Sequence, residues 1–181
     1  MQQSPLAFTS RGVLPVGDHQ LTLDELAHSI LVTGSTEVPL DSKWRLKLVD
    51  NLTTLVNQLW QVGIDRIFID GSFVSDKPHP NDIDGYFECD QQYLTSGKLQ
   101  QELDKLTHPQ KIWVWGQRDR IFMPGSMKPQ LPMWHMYHVE LFPHYGQSSG
   151  IRDKFGNEQL FPAAFRKTRD GHRKGIVQLI H

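Results

Sequence analysis

Apolar residues between positions 44 and 62 recur every three or four residues, which is the spacing of one face of an amphipathic helix. The stripe consists of Trp44, Leu48, Leu52, Leu55, Leu59 and Val62. Asp41 or Ser42 stands before it as a candidate N-cap, and Gly63 follows it, as is common where helices end. The pattern therefore predicts one long helix with a single buried face.

Two other segments predict shorter helices. Thr22 and Glu25 have the spacing of a capping box, which predicts a helix over about residues 22–32. Residues 91–107 carry leucines at helical spacing, but Gly97 interrupts them and weakens the predicted helix.

Continuous and alternating apolar patterns predict strands. Residues 67–69 form a short apolar run typical of a buried strand. Residues 82–88 alternate, so Asp82, Asp84 and Tyr86 share one strand face, and the two aspartates lie about 7 Å apart along it. Aromatic and β-branched residues predict further strands over 111–115, 120–123, 135–142 and 175–180. Residues 124–133, and most of 143–173, are predicted as loops, with one helical turn near residues 163–165.

The length of 181 residues and the hydrophobic content of 38% predict one globular α/β (α+β) domain, residues 1–181, with a mixed sheet flanked by helices. Its core is expected over about residues 42–142. An arm over residues 1–40, irregular over 1–20, precedes this core, and a basic C-terminal extension over residues 143–181 follows it.

Composition also predicts where the protein works. The sequence has no apolar run near the roughly 20 residues of a membrane span. Its first residues, MQQSPLAFTSRG, lack the apolar centre of a signal peptide. The single cysteine, Cys89, excludes an internal disulfide and a cysteine metal cluster. We expect a cytoplasmic protein without a membrane partner.

The charge of the chain is unevenly distributed. The formal net charge is −1, but residues 150–175 contain seven Lys or Arg and only three Asp or Glu. This basic segment is either an ordinary solvated surface or a patch that binds phosphates or an RNA backbone.

The candidate catalytic and binding residues lie in the turn after the predicted strand 67–69 and at the start of the predicted strand 82–88. Gly71 can adopt backbone angles that other residues resist, and Ser72 can cap a following helical turn. Backbone N–H groups at a helix start form an anion site. Because Asp82 and Asp84 come next along the chain, the segment brings two carboxylates beside a phosphate cradle, which suits a divalent cation and a nucleotide.

Gly71 and Ser72, followed ten residues after the serine by Asp82-x-Asp84, resemble the signature of the DNA polymerase beta-like nucleotidyltransferase superfamily. The pattern is most similar to minimal nucleotidyltransferases of bacteria and archaea. The segments LPVG at 14–17 and KGIV at 174–177 are also similar to an uncharacterised bacterial branch of that superfamily.

The resemblance implies a nucleotidyltransferase fold and a set of site residues. Its third carboxylate, expected on a later strand between apolar residues, corresponds to Glu140. Asp82, Asp84 and Glu140 would be both the catalytic and the metal-binding residues, and they would hold Mg²⁺ or Mn²⁺. Gly71 and Ser72 would bind the nucleotide phosphates.

The sequence departs from the family pattern after the serine. Minimal nucleotidyltransferases often have an arginine there, whereas this chain has Phe73 and Val74. The nearest cation is Lys77, which is either a nucleotide-binding point charge or a solvated loop lysine.

The implied activity is a transferase reaction that moves a nucleoside monophosphate from a nucleoside triphosphate to a hydroxyl group. The acceptor could be a protein, an RNA such as tRNA, or a small molecule, and a toxin–antitoxin or defence context is plausible for such enzymes. Two alternatives remain. One is a catalytically weak or inactive module of the same fold that binds a nucleotide or a partner, and the other is a metal-dependent phosphohydrolase.

Overall fold

The computed structural model of the protein describes residues 6–181, so residues 1–5 of the predicted arm lie outside the described residues. The strands are β1 (Asp18–Leu21), β2 (Ile67–Asp70), β3 (Ile83–Glu88), β4 (Val139–His144), β5 (Ser148–Arg152), β6 (Glu158–Leu160) and β7 (Ile176–Leu179). The α-helices are α1 (Leu23–His28), α2 (Ile30–Thr33), α3 (Ser42–Gln61), α4 (Gln91–Thr95), α5 (Lys98–Thr107), α6 (Pro132–Tyr137) and α7 (Phe161–Ala164). A short 3-10 helix spans Gln117–Asp119.

Five strands form one mixed sheet in the order β1-β7-β2-β3-β4. The pairs β1–β7 and β3–β4 are parallel, while β7–β2 and β2–β3 are antiparallel. Strands β5 and β6 form a separate antiparallel hairpin. The mixed sheet with flanking helices confirms the expected α/β (α+β) class.

Helix α3 lies against one face of this sheet, as its apolar stripe predicts. The Oδ1 atom of Asp41 accepts a hydrogen bond of 3.1 Å from the backbone N–H of Trp44, which caps the first turn. Leu48, Leu52 and Leu59 are fully buried and join the same apolar core as alternate residues of β2, β3 and β7. The opposite sheet face carries a smaller apolar cluster and the carboxylates described below.

Several predicted elements have different bounds in the structure. Residues 18–21 form the edge strand β1, where an irregular arm was expected. They pair with β7 through main-chain groups, so the sheet extends beyond residues 42–142 at both ends of the chain. The helix expected over 22–32 is divided at Ser29 into α1 and α2, and the helix expected over 91–107 is divided at Gly97, whose φ is +77°.

Three predictions of strands in the middle of the chain are wrong in whole or in part. Residues 111–115 are irregular, and the buried Trp113 donates from Nε1 to the side chain of Gln58 at 2.8 Å. The segment 120–123 forms only an isolated bridge between Ile121 and Gln130.

Residues 132–137 form helix α6, which begins with a proline at its first turn. The strand expected over 135–142 therefore begins at Val139, after His138 in the left-handed conformation with φ of 50°.

The end of the chain combines a confirmed strand with a missed hairpin. Strand β7 lies where residues 175–180 predicted one, and α7 overlaps the helical turn expected near residues 163–165. The β5–β6 hairpin lies in the region expected to be mostly loop. Among the helices of residues 6–181, none has the length and apolar character needed to cross a membrane.

Candidate functional site

Strand register brings acidic side chains together on one face of the sheet. In the antiparallel pair β2–β3, Asp70 is the register partner of Asp84. In the parallel pair β3–β4, Asp84 is the register partner of Glu140. Asp82 lies just before β3, and all four carboxylates line one cleft of about 1070 Å³. The cleft therefore contains the three acidic residues expected from the sequence and a fourth, Asp70.

Asp84 is at the centre of this acidic group. Burial, together with the negative charges of Asp82, Glu140 and Asp70, raises the pKa of Asp84 to about 7, while Lys128 acts against this shift. A carboxylate in this setting is stabilised by a cation.

Gly71 allows Asp84 to occupy its position. Gly71 has φ of +77°, and a Cβ atom at this residue would collide with the Oδ2 atom of Asp84. A residue without a side chain is therefore required by both the backbone and the packing.

The other three carboxylates contact protein donors. The Nε1 atom of Trp134 donates to Oδ2 of Asp82 at 2.8 Å. Burial raises the pKa of Glu140, and Arg120 opposes this shift from 3.4 Å. Within residues 6–181, no group of three or more His, Cys, Asp or Glu side chains is arranged to hold a metal ion.

Asp70 and Lys174 form a buried ion pair that the sequence interpretation did not contain. The Nζ atom of Lys174 donates to Oδ1 of Asp70 at 2.7 Å, and both side chains are less than 10% exposed. Burial raises the pKa of Asp70 to about 6, and Lys174 acts against that shift. The sequence indicates the role of Asp70 only weakly, because an aspartate between an apolar run and a glycine is ordinary at a strand end.

Gly71, Ser72 and Lys77 also line the cleft, as expected for a phosphate-binding loop. Residues 71–74 form a turn, where a capped helix start was expected. The interpretation of Ser72 as a helix cap is therefore wrong, because no regular helix follows it: three residues later, Ser75 forms an isolated antiparallel bridge with Val13.

Arg45 of α3 holds this loop in place. Its guanidinium donates to the backbone carbonyls of Phe73 at 2.7 Å, Ser75 at 2.8 Å and Lys77 at 2.9 Å. Arg45 is fully buried, and burial lowers its pKa to about 10. The available signal was an arginine three residues before Leu48, on the buried face of the helix.

The basic segment near the C-terminus contributes another part of the cleft lining. Its contributing cations are Arg152, Lys154, Lys167, Arg169 and Lys174. Phe155 and Phe165 also line the cleft. The cleft thus has acidic residues at the sheet and an excess of cations on the segment that follows β4.

Comparison with known proteins gives one match. A protein-family model described as a family of unknown function matches residues 6–180. Neither a curated protein nor a solved structure matches the chain.

Proposed function

The chain belongs to that family, DUF6932, and we propose that it is a magnesium-dependent nucleotidyltransferase with the fold of the DNA polymerase beta-like superfamily. The observation that carries the proposal is the strand register, which aligns Asp84 with Glu140 across β3 and β4. Asp82, two residues earlier, lines the same cleft, as do Gly71 and Ser72. These are the residues from which the activity was expected, and their position in one cleft supports the proposal.

Asp82, Asp84 and Glu140 are the residues that would hold Mg²⁺ or Mn²⁺. Carboxylate oxygens are ligands that Mg²⁺ prefers, and the raised pKa of Asp84 reflects a buried site with an excess of negative charge. The donor types therefore suit a divalent cation, which would draw the three carboxylates together, since within residues 6–181 they are not already arranged as a metal site. When bound, the metal would neutralise charge on the phosphates and on the leaving pyrophosphate.

The loop held by Arg45 is the proposed nucleotide-binding element. Backbone N–H groups of the turn after Gly71, together with the Ser72 hydroxyl, can donate to phosphate oxygens. Lys77 lines the cleft and, within residues 6–181, forms no ion pair, so its charge is free to face a phosphate. This position compensates for Phe73 and Val74, which stand where minimal nucleotidyltransferases often have an arginine.

The proposed reaction transfers a nucleoside monophosphate to a hydroxyl group of a protein, an RNA such as tRNA, or a small molecule. A cytoplasmic toxin–antitoxin or defence context is part of the proposal and follows from the resemblance alone. Fold by itself does not determine activity, so the assignment depends on the acidic cleft.

A second candidate is a module that binds a nucleotide or a partner without catalysis. The observation that favours it is that Asp82 and Glu140 already contact Trp134 and Arg120. A third candidate, a phosphohydrolase, would release free phosphate instead of pyrophosphate.

The test is incubation of a cell extract with α-³²P-labelled ATP, GTP, CTP or UTP, the protein, and Mg²⁺ or Mn²⁺. We expect label on a protein, RNA or small-molecule product, and loss of that label with Asp82→Asn/Asp84→Asn. Asp24→Asn, at an exposed position on α1, is the matched control and should label like the wild type.

Thermal unfolding separates the candidates when no label appears. A melting temperature that rises with Mg²⁺ and nucleotide, and no longer rises in Asp84→Asn, would support the binding module. No transfer and no shift with any nucleotide would overturn both assignments.

A further inference from the structure

The cleft lining contains cations that form no direct ion pair within residues 6–181. Five lining residues take part in none of the ion pairs of residues 6–181: Lys77, Lys128, Lys154, Lys167 and Arg169. Two other lining cations are paired, Arg152 with Glu158 and Lys174 with Asp70.

The acidic residues of the basic segment are used within the protein. Asp153 accepts hydrogen bonds from the backbone N–H groups of Phe155 and Asn157, both at 2.9 Å. Asp170 contacts His172 at 2.7 Å, and Glu158 pairs with Arg152 at 2.9 Å. The segment therefore presents a surplus of positive charge to the cleft.

An exposed aromatic ring accompanies these charges. Phe155 lines the cleft and is 78% exposed, in the turn of the β5–β6 hairpin that Asp153 orders. The Nζ atom of Lys154 lies 5.0 Å from the centre of its ring. A solvated aromatic ring beside lysines is the combination that stacks unpaired bases while cations contact the phosphates.

The cations of the C-terminal segment are separate from those near the carboxylates. Lys128 acts to lower the pKa of Asp84 and of Glu140, and Lys77 follows the turn at Gly71 and Ser72, so these two lysines are the ones that would face the nucleotide phosphates. Lys154, Lys167 and Arg169 remain, all on the C-terminal segment. Because their charge is positive and a base-stacking ring accompanies it, a nucleic-acid strand fits this surface better than a protein does.

We infer that residues 148–174 bind the single-stranded 3′ end of a nucleic acid, and that this end is the acceptor of the proposed transfer. The inference depends on the proposed function for the transfer step. In that step the 3′-hydroxyl oxygen forms a bond to the α-phosphorus of the nucleoside triphosphate. The bond from that phosphorus to the β-bridging oxygen breaks, pyrophosphate leaves, and the hydroxyl proton passes to water.

Binding is tested first, without nucleotide, by the fluorescence anisotropy of labelled single-stranded RNA and DNA oligonucleotides over a series of KCl concentrations. The triple variant Lys154→Gln/Lys167→Gln/Arg169→Gln should bind more weakly. Its slope of log K against log salt should be smaller in magnitude by about 2, since each phosphate that is no longer neutralised reduces it by about 0.7. Lys43→Gln/Lys105→Gln/Lys111→Gln, three exposed lysines outside the cleft lining, is the matched control.

Phe155→Ala tests stacking separately from charge. Affinity should fall about five- to 150-fold with an unchanged salt slope, because the ring contributes no charge. The RNA and DNA arms identify the sugar that is preferred. Equal binding by wild type, the triple variant and Phe155→Ala would overturn the inference, whatever the result of the extract assay.

Transfer is tested next with α-³²P nucleotides and oligonucleotides that carry a free or a blocked 3′ hydroxyl. We expect label only on the free 3′ end, and no label with Asp82→Asn/Asp84→Asn, although that variant still binds the oligonucleotide. Label on a protein instead would overturn the acceptor assignment and leave the proposed function standing. Oligonucleotide binding without label on any product would mean that the proposed function, and with it the acceptor role, has failed.

Discussion

Removal of the Arg45 guanidinium is the sharpest test of how the fold supports the cleft. This side chain is fully buried and donates to three carbonyls of the loop that contains Ser72 and Lys77. Arg45→Met keeps a long apolar side chain in the same space and removes all three hydrogen bonds. We expect the loop to lose its anchor while α3 stays folded.

The size of the effect can be worked from the contacts. One of the three hydrogen bonds is buried and two are partly buried. An unpaired buried carbonyl costs about 1–3 kcal/mol, and a partly buried carbonyl recovers some of this from water, so the three together cost about 4 kcal/mol. Two effects reduce this loss. The variant no longer buries a charge, and it removes the Nε atom of Arg45, which is buried without a hydrogen-bond partner among the described residues. The net loss should be about 3 kcal/mol.

The assay is thermal unfolding together with amide hydrogen exchange over residues 72–77. For a chain of 181 residues, a loss of about 3 kcal/mol lowers the melting temperature by about 6–12 °C. Exchange of the loop amides should increase, and under the proposed function any rise in melting temperature caused by Mg²⁺ and nucleotide should become smaller. Arg45→Lys, which keeps a charge but not the fork of donors, should be intermediate.

Lys43→Met is the control, because Lys43 is exposed on the first turn of the same helix. A melting temperature for Arg45→Met within about 2 °C of the wild type, with unchanged exchange in the loop, would refute the reasoning. It would mean that water or other groups satisfy the three carbonyls.

Three further predictions concern single positions. Gly71→Ala should destabilise the protein by about 2 kcal/mol or more, because it combines a positive φ with a collision against Asp84. Gly125→Ala, with φ of +89° and open space around its Cβ, should cost less. Equal melting temperatures of the two variants would contradict the collision argument. Lys174→Met should lower the free energy of unfolding in urea by about 3 kcal/mol, since it leaves Asp70 buried without its partner. Adding Asp70→Asn should restore part of this loss. A double variant no more stable than Lys174→Met would show that the unpaired Asp70 is not the cause. Burial lowers the pKa of His144 from its ordinary 6.5, so the unfolded chain binds more protons, and the stability that His144 contributes is present above pH 6.5 and lost as pH falls through its folded pKa. His144→Gln should therefore reduce the fall in melting temperature between about pH 7 and about pH 5. An unchanged fall would count against this role of His144.

The elements predicted best from the sequence depend on local patterns. Helix α3 follows from its apolar stripe and the Asp41 cap, and the capping hydrogen bonds of Thr22 and Glu25 are both present. Strand β2 follows from a short apolar run, β3 from alternation of apolar and polar residues, and β7 from its β-branched residues. These elements could be predicted because the residues that form the capping bonds and the apolar stripe are only a few positions apart in the chain.

The site was predicted in part for the same reason. Gly71, Ser72 and Asp82 are joined by one short connection between antiparallel neighbours, so their proximity follows from the hairpin-like order of β2 and β3. Glu140 comes from a strand far along the chain. Its alignment with Asp84 required the parallel pairing of β3 with β4, which local pattern does not specify.

Tertiary structure alone decided the remaining features. Edge strand β1 and the hairpin β5–β6 are mostly polar, and they are strands because their main-chain groups find partners. The aromatic run at 111–115 became irregular because its side chains pack into the core without a strand beside them.

Buried charge shows the same division. Neither Arg45 nor Asp70 looked like part of a site, because an isolated charge predicts a solvated surface. Each is buried because distant residues pair with it: three loop carbonyls face Arg45, and Lys174 faces Asp70. Local sequence thus determined helix α3, strands β2, β3 and β7, and the candidate residues between β2 and β3. The tertiary structure decided which charges could leave water, because burial of a charge is tolerated only where the fold supplies its partner.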